Sequence, residues 1–272
     1  MVTLQNGIQF GGNKRFVLIA GPCAIENRDM VISTARTLKQ ICGELNIELV
    51  FKSSFDKANR TYSSPRGVGM EEGLKILSEV KTTLDLPVLT DVHESWQCEP
   101  VAEVADILQI PAFLSRQTDL IQAAVRTGKV VNVKKGQFMA PWDMRGVIAK
   151  AAEVTSQPQL LLTERGSSFG YGNLVVDMTS LEQLKHTGCP VVFDATHSVQ
   201  QPSSQQGVTL GNRRMVPVLM RAALAVGIDG IFLEVHPDPD HAISDAANQL
   251  PLADMHNLLK QAVEIDDLIK NL

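Results

Sequence analysis

The sequence has few cysteines and no pattern typical of an exported protein. Its four cysteines, Cys23, Cys42, Cys98 and Cys189, lie far apart and form no CxxC pair. The first residues, MVTLQNGIQFGGNKRF, lack the order of basic, apolar and small residues that marks a signal peptide. Disulfide bonds are mainly a feature of exported proteins, so we expect a reduced, cytoplasmic protein.

An excess of positive charge and long apolar runs are also missing. The 272 residues include 25 Lys and Arg against 30 Asp and Glu, which gives a net charge of −5. This balance argues against a general nucleic-acid-binding surface, although it is compatible with a few cations gathered in one pocket. The most apolar region, MVPVLMRAALAVGIDGIFLEV, is interrupted by Arg221, Gly227, Asp229 and Gly230. We therefore expect neither a membrane span nor a nucleic-acid partner.

Short β-prone segments alternate with helical patterns along the chain. The helical segments include residues 29–45, 70–84 and 212–227, where apolar residues recur at helical spacing. Strand and helix alternating eight times predict an α/β protein with a (β/α)8 TIM barrel. A doubly wound open sheet is the alternative, but it usually has fewer strands, and no GxGxxG follows the first strand. The predicted strands are residues 16–22, 48–54, 87–93, 106–112, 130–136, 160–165, 190–197 and 230–237.

Two segments lie outside this alternation. TLQNGIQFGG carries Asn-Gly between β-prone residues, which predicts a β-hairpin that closes the bottom of the barrel. The stretch SVQQPSSQQGVTLGNRR, residues 198–214, is rich in Ser, Gln and Gly and predicts a long surface loop. We expect a single (β/α)8 barrel domain over residues 1–272, with residues 1–14 as an N-terminal hairpin extension.

Each predicted strand ends at a residue that can take part in chemistry. Barrel enzymes build their sites at the carboxyl ends of the strands. Ordinary solvated loop residues would explain any one of these positions, but not the whole set. Because successive strand residues face opposite sides, Asn132 and Lys134 should face the lumen while Lys135 points outward. The residues at the strand ends are, in order, Cys23, Lys52, Asp91, Gln109, Asn132 with Lys134, Arg165, His197 and Glu234.

Four residues could share a metal ion. Strands seven, eight and one are neighbours in a closed barrel, so His197, Glu234 and Cys23 should converge, and Asp245 follows strand eight closely enough to join them. Each has a simpler explanation when taken alone, such as buried packing for the cysteine. Together, a thiolate, an imidazole and two carboxylates favour a divalent ion such as Fe, Mn, Zn or Co.

The opposite arc of the rim is rich in cations. Such a density of positive charge calls for phosphate or carboxylate ligands, and for more than one anionic group. The alternative is a set of salt bridges to Asp56, Asp91 and Glu164, but these acids are fewer than the cations. We therefore expect small phosphorylated substrates. The cations are Lys52, Lys57, Arg60, Lys134 and Arg165.

Eight motifs together match one known family. They are AGPCAIEN (20–27), FKSSFDKANR (51–60), TDVHE (90–94), QIPAFLSRQTDL (109–120), NVKKGQF (132–138), TERGSSFGYGNLVVDM (163–178), FDATHSVQ (193–200) and EVHPDPDHAISDAANQLPL (234–252). On these motifs the chain resembles the 3-deoxy-D-manno-octulosonate 8-phosphate synthase family over essentially its full length. KANR is especially informative, because sister enzymes that use erythrose 4-phosphate typically carry Lys-Pro-Arg-Thr there.

The resemblance implies a transferase of lipopolysaccharide biosynthesis. The family condenses phosphoenolpyruvate with D-arabinose 5-phosphate and water, releases phosphate, and forms the precursor of the Kdo sugar. Its members are typically homotetramers. Two alternatives remain. One is a sister synthase that uses erythrose 4-phosphate or a sugar amine, such as 3-deoxy-D-arabino-heptulosonate 7-phosphate synthase, and the other is a non-catalytic barrel that senses sugar phosphates.

The resemblance also assigns roles to residues. Cys23 indicates the metal-dependent branch, with His197, Glu234 and Asp245 as the other ligands. The phosphate of phosphoenolpyruvate would meet Lys134, Arg165 and the backbone of Ala112, with Gln109 nearby, and its carboxylate would meet Lys52 and Lys57. The arabinose phosphate would meet Asn59, Arg60 and the Thr61 hydroxyl, and Arg116 would come from a neighbouring subunit. The candidate catalytic residues are His197, Asp91, Lys57 and Glu234.

Overall fold

A computed structural model describes residues 1–58, 66–205 and 208–272, with the side chains of 202–205 and 208–209 excepted. Its strands are β1 (Val2–Thr3), β2 (Gln9–Phe10), β3 (Val17–Gly21), β4 (Leu49–Lys52), β5 (Val88–Asp91), β6 (Ile107–Ile110), β7 (Val130–Lys134), β8 (Leu160–Glu164), β9 (Ser167–Ser168), β10 (Leu174–Val175), β11 (Val191–Asp194), β12 (Gln200–Gln205), β13 (Val208–Gly211), β14 (Gly230–His236) and β15 (Leu250–Pro251).

Parallel strands close into a barrel. Their order around it is β3, β4, β5, β6, β7, β8, β11 and β14, and β14 pairs with both β11 and β3. Gly230 marks the closure, because it lies opposite Val192 on one side and Val17 on the other. These are the eight strands that the sequence predicts, and the (β/α)8 barrel is confirmed.

A helix follows each barrel strand. The first of them shows why the sequence forms helices here: the Asn27 side chain accepts a hydrogen bond from the Met30 backbone N–H at 2.9 Å, which caps the first turn of α1. Its buried residues, including Val31, Ala35 and Leu38, recur at helical spacing. The helices are α1 (Arg28–Leu45), α2 (Met70–Leu84), α3 (Cys98–Ala102), α4 (Thr118–Arg126), α5 (Met144–Ala152), α6 (Thr179–Lys185), α7 (Val216–Val226) and α8 (Met255–Lys270).

The N-terminal hairpin closes the bottom of the barrel, as predicted. Strands β1 and β2 pair antiparallel, with Val2 opposite Phe10. Val2, Leu4, Ile8 and Phe10 are buried, and they form one cluster with lumen-facing residues from all eight barrel strands. A second, larger cluster fills the space between the barrel and the helices. The lumen is therefore filled from below by apolar side chains, and its polar residues lie at the opposite end.

The prediction of a long surface loop over residues 198–214 is wrong. This segment contains the antiparallel hairpin β12–β13, in which Gln200 lies opposite Gly211 and Gln201 opposite Leu210. Backbone hydrogen bonds form such a ladder whatever the polarity of the side chains, so a Ser- and Gln-rich composition does not exclude strands. Helix α7 also begins at Val216, four residues later than the predicted start at residue 212, because a short 3₁₀ turn precedes it.

None of the helices in the described ranges combines the length and the apolar character needed to cross a bilayer.

Candidate active site

The predicted site residues gather at the carboxyl ends of the strands, where two loops meet closely. Gly21 ends β3, and a Cβ atom placed on it would lie 2.0 Å from the Lys52 carbonyl oxygen on β4. Only glycine permits this approach, because any side chain would overlap that oxygen. Beyond it, the Ile25 backbone N–H donates to the Ser54 carbonyl at 2.9 Å, which ties the two loops together. Cys23 is thus held fully buried at the mouth of the barrel.

Three possible metal ligands meet at this mouth. The Cys23 sulfur and one carboxylate oxygen each from Glu234 and Asp245 lie within 4.8 Å of one another. The Cys23 thiol donates to Asp245 Oδ2 at 3.2 Å, and its sulfur lies 2.8 Å from Ser244 Oγ. Asp245 has a φ of 51°, a left-handed conformation that non-glycine residues rarely adopt and that is common at functional sites. We call Cys23, Glu234 and Asp245 the ligand group.

His197, the fourth predicted ligand, lies at the edge of this group. Its Nε2 is 3.5 Å from Glu234 Oε2 and 3.9 Å from Asp245 Oδ2. Its other ring nitrogen, Nδ1, is 2.7 Å from Asp194 Oδ2, and its backbone N–H donates to Asp194 Oδ1 at 2.9 Å. A carboxylate bound to one ring nitrogen directs the other nitrogen toward a metal in many proteins.

The donor set fits a divalent metal ion. Glu234 is fully buried, and its Oε2 accepts no hydrogen bond from any residue in the described ranges. A buried carboxylate oxygen without a donor is costly unless a cation faces it. Burial and the charge of Glu234 raise the pKa of the Cys23 thiol, so an added cation is needed to release the thiolate. Sulfur, carboxylate and imidazole donors suit borderline ions such as Fe, Zn and Co.

Two of the predicted cations lie beside the ligand group, not on an opposite arc. The Lys52 ammonium is 2.5 Å from Glu234 Oε1 and donates to the Cys23 carbonyl at 3.0 Å. Lys57 Nζ donates to Ser54 Oγ at 2.8 Å and is 3.9 Å from Glu234 Oε1. The predicted separation is wrong because β4 is the immediate neighbour of β3, so its cation reaches the same corner of the mouth as Cys23.

The other two described cations come from β7 and from the residue after β8. Lys134 Nζ is 2.7 Å from Asp194 Oδ2 and 3.8 Å from the centre of the Phe232 ring. Arg165 is 4% exposed, and its Nη2 donates to Gln200 Oε1 at 2.5 Å. Its Nη1 is buried and donates no hydrogen bond within the described part of the chain. Burial lowers the pKa of both side chains, which is the cost of holding these charges away from water.

A chain of hydrogen bonds crosses the lumen beneath these cations. Thr163 Oγ1 donates to Asn132 Oδ1 at 2.6 Å, and Asn132 Nδ2 donates to Gln109 Oε1 at 3.0 Å. Gln109 Nε2 donates in turn to Asp91 Oδ1, and Ser54 Oγ donates to Asp91 Oδ2 at 2.5 Å. Both carboxylate oxygens of Asp91 are therefore engaged. Burial alone would raise the pKa of Asp91, but the charges of the neighbouring lysines outweigh it and lower that pKa.

The remaining predicted residues are less central. Ala112 is buried in the 3₁₀ turn after β6, with its carbonyl accepting from Ser115 Oγ at 2.8 Å. Arg116 lies on the same loop and is exposed. The residues predicted to hold the arabinose phosphate, Asn59, Arg60 and Thr61, lie outside the described residues.

Sequence reasoning missed three residues that connect the site. Asp194 joins Lys134 to His197, and its signal was the FDATH motif, which places a carboxylate three residues before the histidine. Gln200 accepts from Arg165 and donates to Asp245 Oδ1 at 3.1 Å, but it stood inside the presumed surface loop. Gln249 Oε1 accepts from the Cys23 backbone N–H at 3.0 Å; it lies in the motif of residues 234–252, but sequence reasoning assigned it no role.

Comparison with known proteins agrees with this geometry. The chain matches the DAHP synthetase I family over residues 1–271. It is 55% identical to a 2-dehydro-3-deoxyphosphooctonate aldolase from Fusobacterium nucleatum, with 97% of this chain and 95% of that protein covered. It is 56% identical to the protein of that name from Granulibacter bethesdensis (99% and 95% covered) and 57% identical to that from Magnetococcus marinus (97% and 92% covered). The chain therefore belongs to the DAHP synthetase I family, and its resemblance to the octulosonate 8-phosphate synthases is confirmed.

Proposed function

We propose that the protein condenses phosphoenolpyruvate with D-arabinose 5-phosphate and water to give 3-deoxy-D-manno-octulosonate 8-phosphate and phosphate. The observation that carries the proposal is the buried pair Lys134 and Arg165 at neighbouring strand ends. Arg165 Nη1 finds no acceptor among the described residues, and an unpaired buried guanidinium N–H calls for an anionic ligand. The names of the relatives support the choice of the two substrates.

The charge balance explains how the site accepts anions. The described side chains at the mouth include four cations and four carboxylates. Without ligands, three of the cations lie against acids: Lys52 against Glu234, Lys57 against Asp91, and Lys134 against Asp194. If a divalent ion takes up Glu234 and Asp245, Lys52 loses its acid partner and Lys57 loses one of its two, so both can direct their charge to a substrate carboxylate. The cations are Lys52, Lys57, Lys134 and Arg165, and the acids are Asp91, Asp194, Glu234 and Asp245.

In the proposed reaction, C3 of phosphoenolpyruvate forms a bond to the aldehyde carbon of the sugar, whose oxygen takes up a proton. Water adds at C2, and the tetrahedral intermediate then loses phosphate by cleavage of the C–O bond, leaving the ketone. Lys134 and Arg165 would bind the phosphate and stabilise its charge as it leaves, and Ala112 would offer its backbone. Fixed cations that need no reorganisation are an effective source of catalysis.

The ligand group, with His197, would hold the metal ion. A divalent ion bound there would supply a Lewis acid for the aldehyde or the attacking water. Asp194 would keep the proton of His197 on Nδ1, so that Nε2 stays directed at the group. His197 and Glu234 are the proposed sites of proton transfer. We assign Asp91 a holding role instead, because both of its oxygens already accept hydrogen bonds and it fixes Lys57 through Ser54.

We further propose a cytoplasmic homotetramer in which Arg116 reaches the site of a neighbouring subunit. Its support is the exposure of Arg116 and of large apolar side chains in the segments that follow β6 and β7. Phe113, Phe138 and Trp142 are each more than half exposed, and exposed apolar surface often marks an interface. Light scattering on the purified protein measures the subunit number, and an Arg116→Ala variant that keeps full activity would contradict the proposed role.

The main alternative is the sister reaction with erythrose 4-phosphate, since the family description covers it. The test is phosphate release from phosphoenolpyruvate with each sugar phosphate in turn, in metal-supplemented buffer. We expect release with arabinose 5-phosphate and little with erythrose 4-phosphate. The reverse preference would establish the sister activity, and no release with either sugar would favour a binding protein.

A further inference from the structure

Lys135 is a buried cation that the proposed reaction does not use. It follows Lys134 directly but points to the other side of β7, and its side chain is only 1% exposed. Its Nζ donates to the Met139 carbonyl and to Ser167 Oγ, each at 3.0 Å, and to the Gly136 carbonyl at 3.3 Å. The ammonium thus connects the loop after β7 with the loop after β8.

Glu164 is the matching buried acid, and it directly precedes Arg165. Its Oε2 lies 3.6 Å from Lys135 Nζ and accepts from Ser180 Oγ at 3.1 Å. Its Oε1 accepts the backbone N–H groups of Arg165 at 3.0 Å and Gly166 at 2.6 Å. The carboxylate therefore fixes the backbone at the residue that carries the substrate-facing guanidinium.

The Lys135–Glu164 ion pair lies behind the part of the barrel wall that carries the two substrate-facing cations. Strands β7 and β8 are neighbours, with Lys134 opposite Thr163. Lys134 and Arg165 face the mouth, whereas Lys135 and Glu164 meet behind the wall. The loops that follow are also joined by the backbone, because the Ser168 N–H donates to the Gln137 carbonyl at 2.8 Å.

Stability alone is a poor explanation for this arrangement. A buried ion pair often contributes no more to folding than apolar side chains of similar size, because both charges lose their hydration. Such a pair can instead fix geometry, since its hydrogen bonds are directional. Phosphate binding by an arginine fork and a lysine depends on geometry of this kind, and a displacement of 1 Å can cost about 10²-fold.

We propose that Lys135 and Glu164 are positioning residues, whose ion pair behind the barrel wall sets the spacing of Lys134 and Arg165 and thereby the affinity for the phosphate group of phosphoenolpyruvate. The proposal rests on the proposed function, because it takes Lys134 and Arg165 to be the phosphate ligands. It adds that tight binding of phosphoenolpyruvate also requires two residues that do not contact the substrate.

The test is Lys135→Met, with Lys270→Met as a matched control. Lys270 also forms an ion pair, partly buried, with its Nζ 3.0 Å from Asp266 Oδ1 and side chains 11% and 0% exposed, but it belongs to α8 at the closed end of the barrel. Calorimetry measures the dissociation constants of phosphoenolpyruvate and of inorganic phosphate for each variant. Steady-state kinetics measure kcat and both KM values, and thermal unfolding measures Tm.

We expect Lys135→Met to raise the dissociation constants of phosphoenolpyruvate and phosphate by about tenfold, as for a displacement of a fraction of an ångström. The KM for arabinose 5-phosphate should stay within about twofold, because that substrate binds elsewhere, and Lys270→Met should lower Tm without changing either affinity. Glu164→Gln should weaken phosphoenolpyruvate binding, and adding it to Lys135→Met should cost less than the sum of the two single effects.

If Lys135→Met does not fold, Ser167→Ala tests the proposal in its place. This variant removes only one acceptor of the Lys135 ammonium, so it should raise the dissociation constant of phosphoenolpyruvate by about two- to threefold. An unchanged affinity in a folded Lys135→Met variant, or in Ser167→Ala if that is the variant available, would overturn the proposal. If the unaltered protein binds phosphoenolpyruvate but releases no phosphate with either sugar, the proposed function fails instead, and the calorimetric comparison still decides the positioning role.

Discussion

Asp194 contacts both a proposed phosphate-binding cation, Lys134, and a proposed metal ligand, His197, so its replacement by Asn tests both parts of the site at once. Its Oδ2 is 2.7 Å from Lys134 Nζ and 2.7 Å from His197 Nδ1, and the carboxylate is fully buried. Burial alone would raise the pKa of Asp194, but the charges of His197 and Lys134 outweigh it and lower that pKa. The carboxylate is therefore ionised at neutral pH, and Asn removes its charge at almost constant volume.

The size of the effect follows from these contacts. Oδ2 accepts from both Lys134 and His197 Nδ1, whereas Oδ1 accepts the His197 backbone N–H. An Asn side chain has one acceptor oxygen, so its NH₂ group faces either the two side-chain donors or the backbone N–H, and in both orientations the negative charge is lost. A hydrogen bond to a charged group contributes about 1.5–3 kcal/mol, and breaking a buried ion pair costs about 3–5 kcal/mol. We take about 3 kcal/mol as the loss in transition-state stabilisation, which corresponds to about 10²-fold in kcat/KM.

The assay is phosphate release with both substrates at saturating metal, together with titration of Co²⁺ into the metal-free protein. We expect Asp194→Asn to lower kcat/KM by about 10²-fold and to weaken metal binding by about 10- to 100-fold, the usual effect of losing a carboxylate that orients a histidine ligand. Asp106→Asn is the control, because Asp106 Oδ1 pairs with Lys81 Nζ at 2.8 Å at the opposite end of the barrel. It should lower Tm and leave kcat/KM unchanged.

The reasoning is refuted if folded Asp194→Asn retains kcat/KM and Co²⁺ affinity within about threefold of the unaltered protein, a difference of less than 1 kcal/mol. Equal losses of activity in Asp194→Asn and Asp106→Asn would also refute it, because the effect would then be one of general destabilisation.

Three further predictions concern the metal, the phosphate and pH. Cys23→Asn should abolish or alter the dependence of activity on added metal, whereas Cys98→Ala, a change at a buried core cysteine, should not; full activity of the unaltered protein after exhaustive chelation would contradict the metal assignment. Arg165→Ala should raise the dissociation constant of phosphoenolpyruvate by about 10- to 100-fold, the loss of one or two hydrogen bonds to a charged group, and calorimetry that shows no change would place the phosphate elsewhere. Burial lowers the pKa of His93 below its ordinary 6.5, so the unfolded chain takes up this proton first and stability should fall as pH drops below 6.5. The drop in Tm between pH 7.5 and pH 5.5 should be smaller for His93→Gln, and identical pH profiles would show that His93 does not contribute.

The sequence was sufficient for the barrel because its signal is repeated. Each of the eight strands is a short apolar run between polar turns, and errors of a few residues at strand ends do not alter the alternation. The same alternation assigns Lys134 and Lys135 to opposite sides of β7, and their contacts agree with that assignment. Convergence of Cys23 and Glu234 also followed from topology alone, because closure makes β3 and β14 neighbours.

The sequence was not sufficient for the pairing of charges across the mouth. Which acid meets Lys52 depends on side-chain reach and on the tilt of the strands, and the partner proved to be Glu234, separated by 182 positions. Composition also misled for residues 198–214, because a hairpin is stabilised by backbone pairing that polar residues allow. For that reason the sequence did not predict Gln200 as a site residue.

The hairpin β1–β2 has a consequence for inhibitor design. Since apolar side chains fill the lumen from below, the described residues leave the site accessible from the carboxyl ends of the strands and not through the bottom of the barrel. A compound that joins mimics of both substrates must therefore enter from that end, and a linker or label attached to it cannot extend through the bottom of the barrel.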